Sequence, residues 1–426
     1  MRKILFYAVL NVSFFLFLFL PISCLKDKVW HTYSISRPTY ETLSQARANM
    51  KISGALPIQN IGKIFVKGNY IFLNEVEKGF HIIDNTNPSN PQNAGFFPIP
   101  GNEDLTVKDN TLYADAYGDM VVIDISNPIH ASVKKIVPNI FPDRMNYYYS
   151  NTTNPDSILV LTGYITKDTT VEGEARPLIY TGLPCAFCYG VAALPTNSAA
   201  AAANPANGIG GSMSRFTVIN NYLYAVSYSD LNSFDISVSD DPHFTSSTQV
   251  DWHVETIFPF RDKLFIGSNN GMFMYDVSSD PAHPVLYGEF THVRSCDPVI
   301  SDGDFAYVTL SSGTPCLGFD NELQVVDIHD MKNAALLATY HMNHPQGLSK
   351  DGTYLFICDD GDGLKVYDAS VITNIQLIKQ LKDAHTRDVI AAGDVALVIA
   401  TEGLFEYDYS NPANIHLIGK LLTQGN

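Results

Sequence analysis

Short apolar runs that end in an aspartate recur along the chain: His81-Ile82-Ile83-Asp84, Val121-Val122-Ile123-Asp124, Asn232-Ser233-Phe234-Asp235, Phe273-Met274-Tyr275-Asp276, Gln324-Val325-Val326-Asp327, Lys365-Val366-Tyr367-Asp368 and Phe405-Glu406-Tyr407-Asp408. Successive aspartates lie 40, 111, 41, 51, 41 and 40 residues apart, so four of the six intervals are one constant unit. A fixed period of this size is the mark of a repeat architecture. Ten to fourteen residues before each aspartate a turn precedes a short aromatic or β-branched run. Gly68-Asn69 leads into Tyr70-Ile71-Phe72-Leu73, Asp109-Asn110 into Leu112-Tyr113-Ala114, and Asn220-Asn221 into Tyr222-Leu223-Tyr224. Gly303-Asp304 and Asp351-Gly352 play the same part later in the chain. Such pairs between short alternating runs predict hairpins. After the aspartate come Asn-Pro or Asp-Pro steps (Asn87-Pro88, Asn127-Pro128, Asp241-Pro242, Asp280-Pro281, Asn411-Pro412), which end one strand and turn the chain towards the next.

Four short antiparallel strands in about 41 residues is the size of one propeller blade. The pattern therefore predicts an all-β, seven-bladed β-propeller of four-stranded antiparallel blades over 51–426, with one long insertion at about 141–213. The interval of 111 also equals two units plus about 30 residues, so an eighth blade hidden in the insertion is the alternative. Within the insertion Ser157–Thr166 reads as a long strand. Asn197–Ser214, rich in Ala, Asn, Gly and Ser, reads as a mobile loop.

The Asp-ended strand with Ser/Asn-Pro behind it, copied most closely in Val122-Ile123-Asp124-Ile125-Ser126-Asn127-Pro128, resembles the LVIVD-repeat propellers. Asn74-Glu75 through Asn85, and Ser295-Cys296-Asp297-Pro298, are similar to a long-form branch of that family. The resemblance extends over 50–426 and implies a propeller exported by a bacterium, often as a lipoprotein, with no settled activity and no catalytic residues to carry over.

The first residues fit export. Arg2 and Lys3 precede a 17-residue apolar stretch from Ile4 to Leu20, which Pro21 ends. That is short for a membrane span and usual for the apolar part of a signal peptide. Pro21-Ile22-Ser23-Cys24 resembles a lipoprotein processing site, although Pro21 stands where an aliphatic residue is usual. The expected organisation is a signal peptide at 1–23, lipidation of Cys24, and a tether with a short helix at 24–50. Outer membrane or cell surface is the expected location, with the periplasm as the alternative. Loss of 1–23 takes the cations from 27 to 25 against 44 acids, a mature charge of −19. That balance argues against nucleic acid, whose phosphates call for clustered Lys and Arg.

The seven repeated aspartates read as structural staples that accept backbone N–H bonds two or three residues on. A second set, about twenty residues before each aspartate, is the better place for chemistry: Lys63, Asp104, Arg215, Glu255, Asp297, Gln346 and Asp388. These positions begin the innermost strands, which line a propeller's channel. The four carboxylates with Arg215 and Lys63 form a candidate channel-mouth ligand site, with Ca2+ as a conceivable occupant. Solvated or backbone-bonded lining is the plainer alternative. His253, His292, His344 and His385 lack paired metal-ligand spacing. Asp359-Asp360-Gly361-Asp362-Gly363 lacks the terminal Glu of a calcium loop and reads as a hairpin turn. Cys296 with Cys316, and Cys185 with Cys188, are the expected disulfides, and Cys358 among Leu355-Phe356-Ile357 a buried free thiol. The function expected from these readings is a binding or interaction module at the cell envelope, with an envelope protein or glycan as partner. The alternative is a glycan hydrolase or lyase that uses Asp104, Glu255, Asp297 and Asp388.

Overall fold

The structure, a computed structural model, describes residues 28–141, 154–174, 209–268, 270–291, 298–312 and 321–424. Seven antiparallel sheets follow one another along the chain as blades, each built from consecutive strands. Blade 1 spans 61–98, blade 2 105–137, blade 3 216–249, blade 4 254–291, blade 5 299–341, blade 6 348–381 and blade 7 386–422. Among the described residues the insertion supplies no eighth blade. Among the described residues it contributes the strand Leu159–Glu174, paired with Lys28–Thr42, and the short strand Ile209–Gly210. The latter joins blade 1 beside its innermost strand, where Ile209 pairs with Val66 and Gly210 with Phe65.

Hairpin chemistry sets the register. The turns at Gly68, Asp109, Asn220, Gly303 and Gly352 all have positive φ, as two-residue hairpin turns between twisted strands require. Second strands are largely apolar on both faces because blades pack against blades. Ile71–Leu73, Leu223–Val226 and Ala396–Ala400 are all buried. In every blade the third and fourth strands slip register one or two residues before the repeated aspartate, from Ile82/Ile83 in blade 1 to Glu406/Tyr407 in blade 7. A bulge at this place bends the outer strand and increases its twist.

The aspartates act as read. Asp84, Asp124, Asp235, Asp276, Asp327, Asp368 and Asp408 each accept the N–H two residues on, at 2.8–2.9 Å. Among the described residues no strand is shared between first and last blades, and the ring closes through side chains and one backbone bond, Gln424 N–H on Ile58 O at 2.8 Å. Ile58, Ile61, Ile64, Ile71, Leu73 and Ile83 pack on Ile390, Leu397, Ile399 and Leu404. Asn85 Nδ2 donates to Glu406 Oε2 across the same seam at 3.0 Å.

Residues 28–38, expected as a tether, are strand: cross-strand side-chain bonds join Thr32 to Thr170 and Ser36 to Thr166. Alternating side chains supply a polar ladder there, which a free spacer would lack. The expected short helix is present at Leu43–Ala48, with Thr42 as N-cap and a capping box to Gln45. The chain divides into two compact units, one holding 28–39 with 164–174 and the other holding 40–141, 154–163 and the propeller. Among the described residues no helix is long and apolar enough to cross a membrane.

Candidate functional site

The innermost strands begin where the polar set was placed. In blades 1, 4 and 7 they carry a bulge at that point, between Ile61 and Ile64, Val254 and Thr256, and Thr386 and Asp388. The bulges hold Lys63, Glu255 and Arg387 out of the ladder, and bulges commonly re-aim side chains in this way. In blades 2, 3 and 6 the polar residue stands just ahead of the strand: Asp104, Arg215 and Gln346.

Lys63 Nζ lies 3.3 Å from Asp104 Oδ2, and both side chains are almost wholly buried. Asp104 Oδ2 also accepts the Arg215 N–H, and its Oδ1 accepts that of Leu105 at 2.7 Å. The Arg215 guanidinium reaches Glu103 Oε2 at 2.8 Å. Burial drives the Lys63 ammonium down to about 8, against the opposing pull of Asp104. Burial also raises Glu255, which Arg215 and Lys63 partly offset. Asp388, 2% exposed, is pushed by burial to about 7, although Ser212 hydrogen bonds and the Lys63 charge favour its ionised form. Lys63, Asp104, Arg215, Glu255 and Asp388 are thus one electrostatically connected group drawn from five blades. Gln346 is held by its backbone, its N–H on Cys358 O and its carbonyl accepting from Thr309 Oγ1. Asp297 lies outside the described residues, as do His292, Cys24, Cys185, Cys188, Cys296 and Cys316.

The end of the insertion closes round this group. Gly211 N–H donates to Ile64 O of blade 1, and Ile257 N–H of blade 4 donates to Ser214 O. Between them Ser212 Oγ donates to Asp388 Oδ1 at 2.8 Å and accepts the Leu348 N–H at 3.0 Å. Residues 211–214 therefore bond to the innermost strands of blades 1, 4, 6 and 7. Ser212 and Met213 are buried. This corrects the mobile-loop reading for 209–214: glycine-rich sequence here serves close approach, since a Cβ on Gly211 would overlap Asp388 Oδ2. Residues 197–208 lie outside the described residues.

Three buried polar atoms of the group, Asp388 Oδ2, Gln346 Oε1 and Arg215 Nε, have no protein partner. Ordered water usually fills such places. Among the described residues no three His, Cys, Asp or Glu side chains are arranged to hold a metal ion. His253 contacts Tyr228 Oη through its ring, His344 uses its backbone N–H on Asp359, and His385 pairs with Glu402 at 2.6 Å. Asp359–Gly363 is a hairpin turn, closed by Asp359 N–H on Gly363 O and Gly363 N–H on Asp360 O. Cys358 is a free, buried thiol whose ionisation burial pushes well up.

Two features escaped the sequence reading. Nine residues before the repeated aspartate, Glu75, Asp115 and Asp359 clamp the loops entering the innermost strands. They accept backbone N–H groups of Gln59 and Asn60, of Glu103 and Asp104, and of Asn343 and His344. Burial would raise Glu75, but bonds from His81, Gln59 and Asn60 hold it down at about 2. An acid at a fixed offset in three repeats was the available signal. The second feature is an exposed aromatic cluster of Tyr228, Trp252 and His253. The Tyr228 ring lies 6.4 Å from Trp252 and 4.5 Å from His253, and Trp252 is 63% exposed. Asp251 fixes its loop by accepting from Ser268 Oγ and Asn270 Nδ2. Tyr228 lies 24 residues before Trp252, so no local pattern announced the cluster.

The sequence pattern of the LVIVD repeat matches residues 60–97, 102–138 and 264–292, which are blades 1 and 2 and the last three strands of blade 4. LVIVD repeats thus stand in a chain that folds as a seven-bladed β-propeller. No curated protein matches the sequence. Among solved structures, the computationally designed Ika8 protein is similar at 9% identity and a TM-score of 0.51, over 88% of this chain and 92% of that one. A protein from Lactobacillus plantarum is similar at 12% identity and a TM-score of 0.52, over 86% and 97%. BamB from Moraxella catarrhalis gives 8% identity and a TM-score of 0.47, over 89% and 97%. At such identities the first two likenesses are of fold alone.

Proposed function

We propose that this propeller is an exported, lipid-anchored binding module of the cell envelope, engaging an envelope protein or glycan through its surface. The repeat fold suits an interaction module, and the observation that carries the reading is the closure of the channel group. Hydrolysis by paired carboxylates needs two of them facing a substrate. Here Asp104 is spent on Lys63, Leu105 and Arg215, while Asp388 sits behind Ser212, both only 1–2% exposed. Exposed apolar side chains lie elsewhere, at Trp252 with Tyr228 and along the outer strands at Phe244, Leu286, Leu336 and Leu377. Large aromatic residues standing clear of the surface are what binding faces use. Export and acylation rest on the sequence from Arg2 to Cys24.

A photo-crosslinking amino acid in place of Trp252, in the exporting cell, tests the binding surface. A discrete adduct, lost when the crosslinker is moved to Lys420, is the expected result. Release of reducing sugar from an envelope glycan by the wild type, abolished in Glu255→Gln, would replace this reading with the hydrolase. Cys24→Ala is expected to move the protein from the membrane fraction to the soluble one.

A further inference from the structure

The ribbon formed by Lys28–Thr42 and Leu159–Glu174 is sorted by face. Side-chain bonds fix its register: Thr32 lies opposite Thr170, Ser34 opposite Asp168, and Ser36 opposite Thr166. That face is hydroxyl-rich and takes the carboxylates Asp168 and, by the same register, Glu172, together with the exposed rings of Trp30 and Tyr164. Alternation puts His31, Tyr33, Ile35 and Arg37 on the other face, with Ile165, Lys167, Thr169 and Val171 across from them. The His31 and Tyr33 rings, 6.1 Å apart, confirm that they share it. Tyr33, Ile35, Ile165 and Val171 are 44–64% exposed, and Arg37 and Lys167 are exposed beside them. In a chain of net charge −17, the stretch of this face between residues 31–37 and 165–171 carries apolar side chains and two cations and no carboxylate, while alternation brings Glu41 to it only at the far end of the strand.

We propose that this face of the ribbon lies on an anionic lipid bilayer, as a second membrane contact beside the acyl anchor. The proposal rests on the lipoprotein reading for its geometry. Cys24 precedes the first ribbon residue by four positions, a reach of at most about 14 Å for extended chain. An anchored Cys24 therefore starts the strand close to the headgroup layer. Apolar and aromatic side chains flanked by Arg and Lys are the composition that settles at such an interface. The cations meet the lipid phosphates, and the carboxylates of the opposite face point away from them.

The test uses the mature protein with Cys24→Ser, so that no acyl chain contributes. Trp30→Phe and Trp252→Phe remove both native tryptophans, and Tyr33→Trp places a reporter on the docking face. Vesicles of phosphatidylethanolamine with phosphatidylglycerol are expected to shift its emission to the blue, whereas a reporter at Thr32→Trp on the opposite face stays unshifted. Arg37→Gln with Lys167→Gln is expected to weaken vesicle binding by about tenfold or more. The acylated protein, reconstituted in the same vesicles, is expected to show quenching of the position-33 reporter by brominated lipid. Absence of both the shift and the quenching overturns the proposal. A shift that appears with protein concentration and without vesicles overturns it in favour of a second copy of the chain. The mass of the N-terminal peptide from cells reports acylation separately, so an unacylated Cys24 with vesicle binding intact would remove the anchor and keep the ribbon contact.

Discussion

Asp359 shows how much one side chain can hold in this molecule. It is fully buried, accepts the N–H groups of Asn343 and His344, and pairs with Lys365. Asp359→Ala would strand those donors, at a cost of about 3 kcal/mol read by chemical denaturation. Glu406 is the opposite case, a buried carboxyl at the ring seam that burial raises to about 7 while the Asn85 bond pulls the other way. The native state keeps this proton that the unfolded chain releases near the ordinary value of 4.5. Its contribution is therefore full below that value and falls as pH rises towards 7, as does that of Asp388. Glu406→Gln keeps an acceptor for Asn85. It is expected to remove roughly 2 kcal/mol of the stability lost between about pH 5 and 8, measured by denaturation at each pH.

Among the elements, the strand-edge segment 209–214 depends most on shape. Gly347, across from it, stands where a Cβ would overlap Asp388 Oδ1 and crowd Ser212 Oγ. Gly347→Ala is expected to cost about 1–3 kcal/mol, since the overlap is with a buried, bonded carboxylate that has no free direction to move. The expected signature is a lower thermal midpoint with faster protease cleavage near residue 210, because the segment would lose its seat. The blades were legible because each is a closed local unit: turn residues, alternation and the staple aspartate act within about 41 residues. The strand at 28–42 was not legible, because its partner begins more than a hundred residues later and its own Ser/Thr alternation resembles a polar spacer.

At the scale of the whole molecule, the channel group sets two cations among four carboxylates. Lys63 and Arg215 stand among Asp104, Glu103, Glu255 and Asp388, leaving no unshared cluster of carboxylates for a hard cation among the described residues. Metal analysis of the protein purified without chelator is expected to find no stoichiometric calcium, and EDTA to leave the thermal midpoint unchanged. A bound ion with a large fall in midpoint would require a different account of the ring.

The sequence by itself determined the repeat, its seven Asp-ended units, the role of the seven aspartates and the strand entries from which Lys63, Asp104, Arg215, Glu255 and Asp388 come together. All of these are written in periodicity and local bonding, which one chain segment can carry alone. Only the tertiary structure decided that Ser212 would seat itself against Asp388, 176 residues away. It alone brought Trp252 beside Tyr228, and it alone set Arg37 and Lys167 on the ribbon face opposite Asp168. Contacts of that kind depend on which distant backbones the ring brings within a few ångströms, and no local pattern of apolar and polar residues encodes that distance.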